Sequence, residues 1–267
     1  MMSVLQRIED FYDAVPRSGA RVEQHGRLRL FVRDGVGWPF YARPTGEPIT
    51  AADVLTMRER QREIGVPQAF EWIDDLAPTM AAAAREAGLV VHLCPLLVLD
   101  TERAFSQSIG AELQVLTGDE PAAELALVEA VATVGFGACI GTDVGPAGEA
   151  ARDAAAADVA ADRVEQLRAG LRDGTAGRVA ARCDNGPLAC GGYQQALGVA
   201  EIVGVATLPA ARRRGLGGAV AARLASLARD RGNDTVFLSA HDDDVARVYE
   251  RIGFRRVATA GLAEPPA

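Results

Sequence analysis

A glycine- and arginine-rich stretch of this chain could bind a phosphate group. Arg212, Gly215 and Gly217 form the pattern Arg-x-x-Gly-x-Gly, and Arg213 and Arg214 lie inside it. Glycines let the backbone approach a ligand closely, and the unpaired N–H groups at the start of a helix favour a negatively charged group. We interpret the stretch as a phosphate cradle, and the alternative is a solvated basic turn.

The elements on either side would hold such a cradle in place. Residues 202–208 (IVGVATL) are an apolar, β-branched run that is closed by Pro209, which predicts a buried strand. After the glycines, Val220 and Leu224 are spaced as on one face of a helix, and Gly232 predicts its end. The order is therefore strand, glycine-rich turn, helix.

Two common phosphate-binding motifs do not fit these residues. A P-loop requires Gly-Lys-Ser/Thr, but all 28 basic residues of the chain are arginines. A dinucleotide-binding fingerprint requires a third small residue where Val220 stands. If the stretch binds a phosphate compound, it does so through neither of these two motifs.

The pattern at Arg212 to Gly217 resembles the pyrophosphate- and pantetheine-binding motif of the GNAT superfamily of N-acetyltransferases. Downstream, residues 235–240 (TVFLSA) predict the next strand, and residues 242–254 (DDDVARVYERIGF) resemble the family's Tyr-x-x-x-Gly-Phe helix. The two signals occur in the family's order and spacing. They cover only the last quarter of the chain.

The resemblance implies acyl transfer from acetyl-CoA to a primary amine of a small molecule or peptide. It implies that Glu201 is the general base and Tyr249 the general acid, because the amine must lose a proton and the thiolate must gain one. It also implies a set of cofactor-binding residues, which are Val205, Ala206, Thr207, Arg212, Arg213, Arg214, Gly215, Leu216, Gly217 and Asp242.

Several of these residues also have a purely structural interpretation. Tyr249 shares a helical face with Val245, Val248 and Ile252, so it could be a core residue. Glu201 could be an exposed strand end. Asp242 stands where many family members have Asn, and an ionised carboxylate cannot donate that residue's hydrogen bond. A non-catalytic acyl-CoA-binding module is therefore the alternative function.

With its first strand set aside, the first part of the chain has the predicted order strand, helix, strand, helix, strand. The same order recurs from Glu201 onward. We predict a hairpin of residues 28–32 and 38–42, a helix over 51–64 with a capping box of Thr50 and Asp53, and a strand pair within 89–99. No Arg-x-x-Gly-x-Gly occurs in this part. We interpret residues 1–108 as a degenerate GNAT-like half, with an unrelated α/β cap as the alternative.

The second part, residues 109–267, is predicted to be the catalytic GNAT-like domain. A helix over 120–134 has Asp119 placed to cap it, and residues 136–153 lack periodicity, which predicts a long loop. The resemblance implies that this loop helps to cover the acceptor. The predicted fold class is α/β, a mixed central sheet flanked by helices and preceded by the degenerate half.

Composition limits the partners. A net charge of −8 and a pI near 5.0 argue against nucleic acid and anionic membranes as partners. The start of the chain lacks the basic flank and apolar core of a signal peptide, so we expect a cytoplasmic protein. His25, His92 and His241 are scattered and no Cys-x-x-Cys occurs, so we expect no metal site. A homodimer is compatible with these features.

Overall fold

The computed structural model describes residues 2–35, 39–46, 48–100, 111–138 and 142–266. The chain forms two compact units. One contains Met1–Leu96 and Arg256–Ala267, and the other contains Leu97–Arg255. The predicted domain boundary, between residues 108 and 109, lies outside the described residues and stays a prediction.

The first unit contains two sets of strands with three helices. Strands β1, β2 and β3 form an antiparallel sheet in that order, and β4 pairs with β11 antiparallel. Its elements are α1 (Val4–Arg17), β1 (Ala20–His25), β2 (Leu28–Arg33), β3 (Arg43–Pro44), α2 (Ala51–Glu63), β4 (Phe70–Ile73), α3 (Met80–Glu86), most of β5 (Val90–Leu99) and most of β11 (Phe254–Glu264).

Strand pairing in this unit differs from the prediction. Strand β2 pairs with β1, which the sequence analysis missed, because the turn at Gly26 (φ +58°) connects them directly. The other neighbour of β2 is β3, so the predicted pairing of residues 28–32 with residues 38–42 is wrong. The turn predicted for that hairpin lies partly outside the described residues, at 36–38. Residues 90–99 form one long strand and not a pair. The capping box of Thr50 and Asp53 is confirmed.

The second unit is built on a sheet with the strand order β10, β9, β8, β7, β6. Strand β10 runs parallel to β9, and the other neighbours are antiparallel. Its elements are β6 (Glu112–Leu116), α4 (Ala122–Ala138), α5 (Glu149–Ala157), α6 (Ala161–Arg172), β7 (Ala176–Cys183), β8 (Gly186–Ala196), β9 (Val199–Thr207), α7 (Leu216–Asp230), β10 (Thr235–Ser239) and α8 (Asp243–Arg251).

Helices cover both faces of this sheet. On one face, a Cβ atom at Gly191 would touch Val220 and Leu224 of α7. On the other face, the thiol of Cys190 interacts with the backbone of Ala132 in α4. Leu125, Val128 and Val131 of α4 and Val220, Ala221 and Leu224 of α7 belong to one hydrophobic core. We call the two sides the α4 face and the α7 face.

The segment after β6 differs from the prediction in two respects. Asp119 does not cap α4 but accepts a hydrogen bond from Arg172, while Glu120 accepts hydrogen bonds from the N–H groups of Thr117 and Gly118. The predicted loop over 136–153 is shorter, because α4 extends to Ala138 and α5 begins at Glu149. Arg152 of α5, 2% exposed, donates to the carbonyl oxygens of Asn185 and Pro187.

Candidate active site

Strand β9 extends beyond the strand that runs parallel to it. The β9–β10 ladder has three rungs, and the last joins Glu201 to Phe237. Strand β9 continues to Thr207, so residues 202–207 run past the last rung. Backbone N–H and C=O groups on such an edge need other partners, and a ligand can supply them. The predicted cofactor residues Val205, Ala206 and Thr207 lie in this segment.

A β-bulge lies in the same segment. Cys190 of β8 faces Ala206, and Gly192 faces Val203, so one residue of β8 opposes two of β9. Gly204 lies in this bulge with φ +61°, a conformation that favours glycine. A bulge bends its strand and redirects the residues that follow it. The bend therefore sits just before the strand enters the glycine-rich turn.

The turn between β9 and α7 contains two residues in left-handed conformations. Arg213 has φ +64° and Gly215 has φ +78°, and for an arginine this conformation is strained. The first-turn N–H groups of Leu216 and Gly217 lack intrahelical acceptors, as in any helix, and α7 has no side-chain cap that would replace them. These N–H groups, together with the helix dipole, suit a phosphate ligand.

Close packing brings the start of α7 against the end of β9. A Cβ atom at Gly217 would lie 3.3 Å from Thr207 Oγ1 and 3.8 Å from Val205 Cγ1. The predicted strand residues and the predicted turn residues are therefore neighbours. Glycine at position 217 leaves the space between them open.

The three arginines of the motif have different surroundings. Arg212 is half-buried, and its guanidinium donates to the carbonyl oxygens of Thr207 (3.3 Å), Gly135 (2.7 Å) and Asp143 (2.8 Å). Arg213 and Arg214 are exposed. Arg212 thus stabilises the backbone of the turn through hydrogen bonds. The side chains of Arg213 and Arg214 are exposed to solvent and can contact a ligand.

The loop between α4 and α5 is attached to the same turn. The N–H of Gly145 donates to the carbonyl of Pro209 at 3.3 Å, and the N–H of Ala210 donates to that of Ala147 at 3.0 Å. With the bond from Arg212 to the carbonyl of Asp143, three of the hydrogen bonds between described residues join this loop to the turn. The resemblance implies that this loop covers the acceptor. In the structure, hydrogen bonds connect it to the candidate phosphate site.

Tyr249 lies on α8, whose packing partner is the first turn of α7. A Cβ atom at Gly218 would lie 3.5 Å from Val248 and 3.8 Å from Ile252. Tyr249 is 8% exposed, and its ring makes an edge-to-face contact with Phe254, with 6.2 Å between centroids. Burial raises the pKa of Tyr249 to about 12. The hydroxyl is therefore protonated at neutral pH.

Glu201 lies at the end of the β9–β10 ladder. It is 8% exposed, and its carboxylate accepts a hydrogen bond from Gln194 Nε2 at 2.9 Å. Gln194 is its antiparallel partner on β8, so both side chains lie on one face of the sheet. The carboxylate is thus buried at the point where β9 passes beyond β10, and it is not the exposed strand end that we considered.

Asp242 has a structural partner. It is the N-cap residue of α8, and its carboxylate accepts a hydrogen bond from the N–H of Val245 at 2.8 Å. An aspartate in this position stabilises a helix start by roughly 1 kcal/mol. The structure therefore explains this residue without a ligand, and its cofactor contact stays a prediction.

The sequence analysis missed a cluster of three charged residues on the α4 face, which we call the Arg178 cluster. Glu129 of α4 accepts hydrogen bonds from Arg163 Nε at 2.8 Å and from Arg178 Nη2 at 3.0 Å. A glutamate among the buried positions Leu125, Val128 and Val131 was the available signal, because α4 is otherwise apolar there. Its partners could not be read from sequence spacing.

Neither a metal site nor a membrane-spanning helix is found in the described parts of the chain. There, no group of three or more His, Cys, Asp or Glu residues could hold a metal ion. Helices of the length and apolar character needed to cross a membrane are also not found among the described residues.

Comparisons with known proteins agree with this geometry. Residues 171–261 match the family model described as FR47-like protein. A GCN5-related N-acetyltransferase from Kribbella flavida is 24% identical with a TM-score of 0.71, and the match covers 100% of this chain and 98% of that chain. No curated protein matches the sequence.

Two further solved structures have the same fold. A GCN5-related N-acetyltransferase-like protein from Streptococcus suis is 13% identical with a TM-score of 0.57, with 97% of each chain covered. A tandem GNAT protein from the clavulanic acid biosynthesis pathway is 17% identical with a TM-score of 0.52, with 90% of this chain and 79% of that chain covered. The resemblance to the GNAT superfamily and the predicted fold class are confirmed.

Proposed function

We propose that this protein transfers an acetyl group from acetyl-CoA to a primary amine of a small molecule or peptide. The observation that carries the proposal is the bulged strand β9, which runs past β10 and leads into an uncapped, glycine-rich helix start. In this proposal the backbone of Val205 to Thr207 binds the acetyl and pantetheine groups. The N–H groups from Gly215 to Gly217 bind the pyrophosphate.

In the proposal, the three arginines of the turn contribute to pyrophosphate binding in two different ways. Arg213 and Arg214 supply positive charge from the solvent side, where they are exposed. Arg212 contributes through its position, because its guanidinium already donates to backbone carbonyl oxygens on three residues. It holds the turn in the conformation that presents the N–H groups to the pyrophosphate.

Glu201 is the proposed general base. The attacking amine must be neutral, and a buried carboxylate can accept its proton directly or through a water molecule. The hydrogen bond from Gln194 fixes one carboxylate oxygen, which orients the other. Backbone N–H groups on the edge of β9 that runs past β10 would stabilise the negative charge that develops on the acetyl oxygen.

Tyr249 is the proposed general acid. Its hydroxyl is protonated at neutral pH because burial raises its pKa to about 12. A thiol has an ordinary pKa of about 8.5, so complete proton transfer from this hydroxyl to a free thiolate is uphill. In the proposal this transfer is coupled to the breaking of the C–S bond, and the tyrosinate that it leaves regains a proton through solvent from Glu201, which has taken one from the amine.

A coupled binding and turnover experiment tests the proposal. Calorimetry measures acetyl-CoA affinity, and a thioester-release assay with mass spectrometry of products measures acetylation across a panel of primary amines. We expect binding and an amine-dependent release of CoA. Binding without turnover on any amine would instead identify a non-catalytic acyl-CoA-binding module, and no binding would contradict both functions.

A further inference from the structure

The guanidinium of Arg178 lies over two glycines of the bulged region. Arg178 projects from β7 across β8, where a Cβ atom at Gly192 would overlap its Nη1 atom. A Cβ atom at Gly204, in the bulge of β9, would lie 3.8 Å from the same nitrogen. The absence of side chains at both positions therefore places a cation directly beside the bulge.

Most hydrogen-bond donors of Arg178 have no acceptor in the part of the chain that the structure describes. Its Nη2 donates to Glu129 Oε1 at 3.0 Å, whereas Nε and Nη1 donate to no described residue. The side chain is 17% exposed. An arginine has five N–H donors, and partly buried donors without an acceptor are costly unless water or a ligand supplies one.

The rest of the Arg178 cluster holds this guanidinium in place. Arg163 Nη2 lies 2.7 Å from Glu129 Oε2, so Glu129 bridges the two arginines and the cluster carries one net positive charge. Burial alone would raise the pKa of Glu129, but the charges of Arg178 and Arg163 outweigh it and lower that pKa. Glu129 is therefore a positioning residue that stays ionised.

Arg178 lies on the same sheet face as the candidate base. Gly192 and Gln194 are two residues apart on β8, so they face the same side, and Gln194 donates to Glu201. One such step along a strand is roughly 7 Å. An amine near Glu201 would thus have Arg178 within reach of a second group on the same small molecule.

We infer that Arg178 binds a carboxylate of the acceptor, so that the acceptor is an amine that also carries a carboxylate, as a free amino acid does. The inference rests on the proposed function and narrows its acceptor. A carboxylate adds one negative charge and offsets the single net positive charge of the cluster. A doubly charged phosphate would be repelled by Glu129, which lies 3.0 Å from Arg178.

The experiment compares free amino acids with their amides as acceptors, with acetyl-CoA as donor. We expect KM for the acids to be about 10- to 100-fold lower than for the amides, the range for a hydrogen bond to a charged group. Arg178→Gln should raise KM for the acids to the level of the amides, while kcat changes little. Arg178→Lys keeps a charge beside Glu129 and should give an intermediate KM.

Arg182→Gln is the matched control. Arg182 lies on the same strand and pairs with Glu124 of the same helix, but it is four residues along β7 from Arg178 and is not beside Gly204 of the β8–β9 bulge. It should keep the preference for acids. Equal KM values for acids and amides in the unsubstituted protein would overturn the inference. So would a loss in Arg178→Gln that falls on kcat for acids and amides alike, since this indicates stabilisation of the reacting oxygen.

A binding measurement separates this inference from the proposed function. If no amine releases CoA, the proposed function fails, and calorimetry of N-acetyl amino acids and their amides with the CoA-bound protein then tests Arg178 alone. Binding of the acids, but not of the amides, that is weakened in Arg178→Lys and lost in Arg178→Gln supports the carboxylate site. Equal or absent binding of the acids overturns it.

Discussion

Helices α2 and α7 begin in opposite ways, although each follows a strand in its own unit. The start of α2 is closed by its own residues, because Thr50 and Asp53 satisfy each other's backbone N–H groups in a capping box. The start of α7 follows the left-handed Gly215 and has no side-chain cap. The carboxylate of Asp53 thus occupies the N-terminus of α2, whereas the N-terminus of α7 is open to an anionic ligand.

Two arginines extend this comparison. Arg43 in the first unit is 5% exposed, with Glu9 at 3.1 Å, Glu71 at 3.6 Å and the Tyr12 ring centre at 4.0 Å. Arg178 in the second unit has one carboxylate partner and two glycines beside it. Enclosure, and not charge, distinguishes an arginine that stabilises its unit from one that can bind a ligand.

The largest expected effect comes from giving α7 a carboxylate, as α2 has. Gly217→Asp should abolish acetyl-CoA binding, because the carboxylate would repel the pyrophosphate and fill the space beside Thr207 and Val205. Calorimetry measures the affinity, and saturation of the unsubstituted protein should give one CoA per chain.

Gly137→Asp is the control for that substitution, since a Cβ atom at this exposed position of α4 meets no atom within 4 Å. Unchanged affinity in Gly217→Asp, with an unchanged melting temperature, would remove the cofactor site from α7. Two CoA molecules per chain would show that the first unit also binds the cofactor.

Tyr249→Phe should produce the next largest effect. The loss of the hydroxyl should lower kcat by about 10²- to 10⁴-fold while acetyl-CoA affinity stays nearly constant, because the ring keeps its contact with Phe254. Steady-state kinetics and calorimetry check the two parts. A small loss of stability with near-normal kcat at every pH would make Tyr249 a core residue.

Arg43→Met tests the enclosed arginine. Removing one partner of a buried ion pair costs about 3–5 kcal/mol, and we expect the lower end because Glu9 and Glu71 keep partial access to water. Chemical denaturation measures the free energy of unfolding, with Arg21→Met, an exposed position, as the control. Reduced turnover per folded molecule would contradict a purely structural role.

Thr50→Ala should have the smallest effect, about 1 kcal/mol of stability, with acetyl-CoA affinity unchanged. Hydrogen bonds from the Thr50 side chain and backbone lower the pKa of Asp53 below its ordinary value of 3.8. The ionised cap therefore stabilises the fold fully above pH 3.8, and this contribution is lost as the pH falls through the lowered pKa. Melting curves of both proteins should converge there, and a constant difference would contradict this linkage.

Local sequence patterns predicted the elements that carry their own signals. The strand, glycine-rich turn and helix around Gly215 were predicted because glycine spacing, β-branched residues and Pro209 act over a few residues. The capping box at Thr50 was predicted for the same reason. The prediction of a hairpin from residues 28–42 failed because β1, which pairs with β2, has no buried residue and therefore a weak sequence pattern.

Contacts between distant residues decided the rest of the site. The sequence alone determined that a glycine-rich turn follows an apolar strand, since both depend on neighbouring residues. Only the tertiary structure showed that Arg212 binds the carbonyl oxygens of Gly135 and Asp143 and that Arg178 meets Glu129 beside Gly204. These partners are separated by tens of residues, and only the pairing of β7, β8 and β9 under α4 brings them together, because hydrogen bonds act over about 3 Å of space regardless of sequence distance.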